Sequence, residues 1–288
     1  MKKIQHHYIS KTYQNNFIGK NGKIYFLDPD GRIYASNPKN MFKEGHYNTV
    51  DGSLFIEDIM SEIEGLFSSI VNSKIKKKII ITKWEKILLS IYISTLLNRV
   101  RNNREGFRNF FKELVEWGEN ITDKEKRILK AVPPSKGKTY SLKEIRDILE
   151  NFNSDFAVGS MDASLKVSSI IYNMKWRFLV APKDLVFISS DNPVNLRRPE
   201  AEKKYGFNAL GARLGLKYKD IQLTFPLTPE IILLAGWKNS DDLKYLEIPG
   251  SWIPQLNYTT AMRADTLFAS KKDVLEKILK KTLQTEKN

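Results

Sequence analysis

Two short stretches are the most informative in this chain for chemistry: Ser189-Ser190-Asp191-Asn192-Pro193-Val194, and His6-His7-Tyr8 roughly 180 residues upstream. A proline cannot donate to a sheet ladder and restricts the residue before it. A strand running into Ser-Asp-Asn-Pro therefore stops there and leaves Asp191 and Asn192 at its carboxyl end, where side chains can reach a cleft. The same residue types also cap their own turns by bonding nearby amides, so the block reads equally as a structural turn. A neutral imidazole suits general acid or base work near pH 7. Adjacent residues point in different directions, so only one of the two histidines faces a given site. His7 adjoins Tyr8 and the helical segment that follows and is the catalytic candidate, with His6 and Tyr8 as substrate contacts; the alternative is a packed, hydrogen-bonding histidine.

Acids and a guanidinium extend the set. Glu57 and Glu64 are separated by two helical turns and share a helix face with Met60 and Ile63 close by. A carboxylate at the edge of a core needs a partner, and Arg99, which closes a long apolar run, can supply it. The pair is then either a structural ion pair or a carboxylate and a forked guanidinium arranged round a phosphate or a metal. Arg99, Arg101, Arg104 and Arg108, with Asn98, Asn102 and Asn103 among them, form a stripe that either tracks a phosphate backbone or is a solvated face. There are no cysteines, which removes disulfides, thiolate nucleophiles and cysteine-ligated zinc. No Walker loop, GxGxxG turn, HExxH or GxSxG is present.

Charge points the same way without settling it. The chain carries 47 Lys and Arg against 33 Asp and Glu, a net charge of +14, which favours polyanionic partners such as RNA, DNA or nucleotides. The Lys excess accompanies many Asn and Ile residues, the pattern an AT-rich coding sequence also produces. The first residues meet polar side chains before any apolar stretch long enough for a signal peptide, and the longest apolar run, Ile87 to Leu97, is too short to span a bilayer. The expectation is a cytoplasmic protein with no membrane partner.

The positioning elements follow from periodicity. Lys23 to Leu27 and Arg32 to Ala35 flank Asp28-Pro29-Asp30-Gly31, a hairpin signal. Ile59, Ile63, Leu66, Phe67 and Ile70 recur at helical spacing from Phe55 onward. Thr82 with Glu85, and Ser141 with Glu144, are capping boxes that open further helices, and Val132 to Gly137 is a breaker between them. Trp176 to Val180, Leu185 to Ser189, Ile221 to Phe225 and Ile231 to Ala235 are short strands. Helix resumes from about Ile253 to Ala269 and again from Lys272. This is α+β: a helical bundle packed with a small, mostly antiparallel sheet in a single domain. Residues 1–50 hold the hairpin region, 51–175 are mainly helical, 176–270 are strand-rich with a returning helix, and 271–288 form a C-terminal helix.

Several blocks in this order resemble DUF4238, a bacterial family known as a domain of unknown function. His6-His7-Tyr8-Ile9-Ser10 through Phe17 is similar to its opening signature. Tyr47-Asn48-Thr49, then Glu57 and Glu64, resemble its next elements, and Arg99 and Arg104 stand where its pattern has two arginines after an apolar helix. Trp176, the Phe187 to Val194 block and Phe225-Pro226-Leu227-Thr228-Pro229 resemble its last ones. Ser10 replaces the usual proline, Gln14 the usual leucine, and Leu96 the usual glutamine before the arginine. The resemblance implies a shared fold and no chemistry.

The residues themselves lead to an enzyme that cleaves phosphodiesters of RNA or DNA, in a defence or toxin setting. His7 would be general acid or base, Arg99 would stabilise phosphorane charge, and Glu64 with Asp191 would orient groups or hold a divalent cation such as Mg, while Asn192 and Arg104 contact substrate. The alternatives are a non-catalytic module that binds nucleic acid or protein, and an enzyme for a small nucleotide-like ligand.

Overall fold

A computed structural model describes residues 5–45, 55–122, 141–205, 215–238 and 240–285 of the chain. Strand β1 (Gln5–His7) leads into helix α1 (Lys11–Asn15), whose cap is the Ser10 hydroxyl accepting from the Tyr13 amide. The hairpin β2 (Ile24–Leu27) and β3 (Ile33–Ser36) forms where the Asp-Pro-Asp-Gly turn predicts it. Gly31 takes φ +80°, a conformation other residues rarely adopt, and the Arg32 amide donates to Asp28 at 2.9 Å. Strand β4 (Lys43–Gly45) pairs antiparallel with β1, which sets His7 opposite Lys43.

Helices α2 (Phe55–Ser73) and α3 (Lys83–Arg99) follow. The Thr82 capping box closes as its spacing predicts, with the Glu85 amide donating to Thr82 at 3.1 Å and the Thr82 amide to Glu85 at 2.7 Å. Helix α3 is apolar around most of its circumference, so it is buried, Leu89, Tyr92 and Ile93 completely. Its Ser90 and Thr95 hydroxyls donate to the carbonyls of Lys86 and Ile91, which satisfies them inside the core. Helix α4 (Arg101–Asn120) precedes α5 (Leu142–Glu150), which opens on the second capping box, and α6 (Phe152–Asn173), which lies along α3.

The second half alternates strands and helices: β5 (Lys175–Val180), β6 (Ser189–Ser190), β7 (Asn195–Arg197), α7 (Pro199–Tyr205), β8 (Gln222–Thr228), β9 (Ile231–Gly236), β10 (Lys244–Glu247), α8 (Trp252–Ala261), β11 (Leu267–Ala269) and α9 (Lys272–Thr285). Five strands form one sheet in the order β10-β5-β9-β8-β7, parallel only at β10-β5, and four form another in the order β3-β2-β11-β6, all antiparallel. The class is α+β as expected, with two larger sheets and the two-stranded β1-β4 ribbon among the described residues in place of one sheet. The division into two larger sheets arises at two strands. The predicted helix to Ala269 ends at Ala261, and Leu267 to Ala269, buried on both faces, becomes the strand that joins the N-terminal hairpin to β6. The strand expected at Leu185 to Ser189 shrinks to β6, because its amides find other acceptors. Phe187 donates to the Pro229 carbonyl at 2.7 Å and Ile188 to the Asn257 side chain at 3.0 Å.

One aromatic core binds both halves. Tyr13 stacks on Phe225 at 5.2 Å, Phe67 on Tyr92 at 4.0 Å, and Phe17 meets Phe268 edge-on at 5.2 Å. The core therefore fixes α1 against α2, α3 and both larger sheets. Among the described residues no helix is long and apolar enough to cross a membrane. The Val132 to Gly137 breaker, Tyr47-Asn48-Thr49, His46 and the side chain of His6 lie outside the described residues.

Candidate functional site

Glu64 is the centre of a polar cluster set into this core. It lies on the second turn of α2 beyond Glu57, and burial pushes its carboxyl up to about 7, against the opposing pull of the Arg99 guanidinium; the Glu57 charge raises it further, and a hydrogen bond from Ser10 lowers it. Ser10 also lies 3.3 Å from the buried Tyr92 hydroxyl. Either hydroxyl can donate in that contact. The Tyr92 hydroxyl is itself raised well above its ordinary value, by burial first and then by the Glu64 charge. Glu64, Ser10, Tyr92 and Arg99 thus share one pocket of charge between α1, α2 and α3.

His7 reaches the same helix one step further along. Burial lowers its imidazole below 6.5, the charge of Lys43 lowers it too, and the carbonyls of Lys39 and Pro38 and the charge of Glu57 oppose them. Its Nε2 is buried without a hydrogen-bond partner among the described residues. Glu57 acts electrostatically on both His7 and Glu64. Two helical turns are roughly 10 Å, about the reach of a nucleotide unit. Beyond His7, the Tyr8 ring packs edge-on against Phe42 at 5.8 Å, and the buried Arg104 pairs with Glu44 at 3.4 Å. The Arg101 guanidinium is held above its ordinary value by its hydrogen bond to Glu105, with Tyr8 and Glu44 acting the same way. The links run from Arg99 to Glu64 on α2, from Glu57 on the same helix to His7 on β1, and from Arg104 on α4 to Glu44 on β4.

Asp191 and Asn192 do not join that cluster. The Asp191 carboxylate accepts from the Asp265 amide at 3.2 Å, its own amide donates to the Thr266 carbonyl at 3.0 Å, and Asn192 Nδ2 donates to the Arg263 carbonyl at 3.0 Å. Burial raises the Asp191 carboxyl to about 6, and the charge that acts on it is that of Asp265. The rest of the block is equally committed. Tyr13 donates its hydroxyl to the Pro226 carbonyl at 2.6 Å, so Ser189, 2.6 Å from the same oxygen, donates to Tyr13. Ser190 accepts from the Asn192 amide at 3.1 Å. Three distant signature blocks are therefore tied together by hydrogen bonds of the kind that hold a buried turn, and the expected cleft between Asp191 and His7 is replaced by this knot.

Sequence reasoning missed Ser10 and Tyr92. Tyr92 sits inside an apolar run and reads as core; Ser10 stood out only as a departure from proline. A group of three or more His, Asp or Glu side chains placed to hold a metal ion is absent among the described residues, so the divalent cation expected beside Glu64 and Asp191 has no ligand set there. What the cluster can do is move protons: it offers a neutral imidazole, a carboxyl that titrates near neutrality and a guanidinium.

The family model described as "Protein of unknown function (DUF4238)" matches residues 5–273 of the 288 in the chain. No curated protein and no solved structure matches it.

Proposed function

The chain belongs to the DUF4238 family, whose description assigns no chemistry, and we propose from its side chains that it is a phosphodiesterase of the nuclease kind, acting on RNA or DNA by acid-base catalysis. The observation that supports the reading is the near-neutral carboxyl of Glu64, on which Arg99 and Glu57 both act, with Glu57 acting on His7 as well. Neutral His7 accepts the proton of the attacking hydroxyl as its oxygen bonds to phosphorus. Protonated Glu64 gives its proton to the leaving oxygen as the second P–O bond breaks, and Arg99 stabilises the charge that builds on the phosphoryl oxygens between these events. Tyr92 and Ser10 position Glu64. No step runs through a metal or through Asp191.

The test is cleavage of single-stranded RNA and DNA by the full chain against His7→Ala and Glu64→Gln. Each variant is expected to lose activity by at least about 100-fold while its thermal melt stays within a few degrees of the parent. The parent's rate should rise through the lowered His7 value and fall as pH passes about 7. Full activity in both variants sinks the reading. A second reading, a non-catalytic nucleic-acid binding module, is favoured by the charge of +14; salt-sensitive binding with no product from the parent chain would select it.

A further inference from the structure

A cavity of about 500 Å³ lies well away from the knot of Asp191, bounded by the chain leaving α1, the β8-β9 turn, the segment before β6 and the residue after β11. Three lysines, Lys20, Lys76 and Lys271, line it together with Asp184 and Glu230. None of the five forms an ion pair among the described residues: Lys76 Nζ donates to the Asn72 side chain at 2.8 Å and Lys271 Nζ to the Asp184 main-chain carbonyl at 2.6 Å. Asn16, at the end of α1, lines the same wall with 9% of its surface exposed, and its Nδ2 is buried without a hydrogen-bond partner among the described residues. A ligand oxygen in the cavity would give this amide an acceptor.

Both signs of charge in one wall narrow the ligand. A bare inorganic anion would meet the lysines but also the field of two carboxylates. A ligand that carries a phosphate for the lysines and Asn16, and hydroxyl donors for the carboxylates, satisfies every group, in the way an acidic side chain takes up a ribose diol. The volume suits a small polar metabolite. We propose that this cavity binds a phosphorylated sugar, free or as part of a nucleotide, with its phosphate on Lys20, Lys76 and Lys271 and its hydroxyls on Asp184 and Glu230.

Calorimetric titration of the full chain with ribose 5-phosphate, AMP and inorganic phosphate tests it. One or both esters are expected to bind at least about tenfold more tightly than inorganic phosphate, and whichever binds identifies the source as free sugar phosphate or nucleotide. Lys20→Ala with Lys271→Ala, both at the surface and outside the core, should weaken the ester by about tenfold or more. Glu230→Gln should weaken the ester and leave inorganic phosphate unaffected. Absence of binding by either ester at millimolar concentration, equal affinity for inorganic phosphate, or full ester affinity in the double lysine variant would each overturn the proposal.

Discussion

At residue scale the decisive side chain is Glu64, whose proton affinity is set by what surrounds it. Its ordinary value of 4.5 is raised to about 7 by burial, so the folded state holds this proton more tightly than the unfolded chain does. Its contribution to stability is then present in full below 4.5 and is lost as pH rises through about 7. His7 runs the other way: lowered beneath 6.5, it contributes stability when neutral and loses it as pH falls below that value. Comparing the parent with Glu64→Gln cancels the His7 effect. Between pH 5 and pH 8 the urea-derived stability of the parent should drop by about 2–3 kcal/mol more than that of the variant; parallel pH curves would place Glu64 in water. None of this was legible from its spacing to Glu57, because spacing assigns a helix face and not the depth at which the face is buried. Ser10 shows the same limit: it is a helix cap by type, and a Glu64 and Tyr92 contact only by fold.

At the scale of elements the local signals were readable. The Asp-Gly hairpin, the helix after Phe55 and both capping boxes arise from interactions within one turn, and each is found where the sequence places it. Thr82→Ala removes a hydroxyl that the Glu85 amide uses, at the start of the helix that carries Tyr92 and Arg99, and is expected to cost about 1 kcal/mol in chemical denaturation. Ser141→Ala, at the start of the more exposed α5, gives the matched comparison. An unchanged denaturation midpoint in Thr82→Ala would mean that packing alone holds the end of α3. Among the unreadable elements are β1, β4, β7, β10 and β11, three or four residues each, and β6 keeps only two residues at the end of an expected strand. Such runs are too short for alternation to appear, and β11 becomes a strand because β2 lies beside Leu267 to Ala269.

At the scale of the whole molecule the charge of +14 states an attraction without an address. The structure collects Arg99, Arg101 and Arg104 beside the acid-base cluster, Arg104 and Arg101 being turned toward Glu44 and Glu105. If about three phosphates are neutralised there, binding of a single-stranded oligonucleotide to His7→Ala should weaken roughly 10- to 20-fold between about 50 and 200 mM salt. A salt-independent affinity would mean that Arg104 and Arg101 stay with Glu44 and Glu105 and meet no phosphate. The amino-acid sequence by itself determined the α+β class, the capped helices, the hairpin and the identity of every ionisable group, because these depend on neighbours a few residues apart. Only the tertiary structure decided which signature blocks meet: it closed the Ser189 block onto Tyr13, 176 residues away, and left Glu64 with Ser10, Tyr92 and Arg99. Pairing at such separation is chosen by the packing of the shared aromatic core, and burial within that core sets the proton affinities on which the proposed chemistry depends.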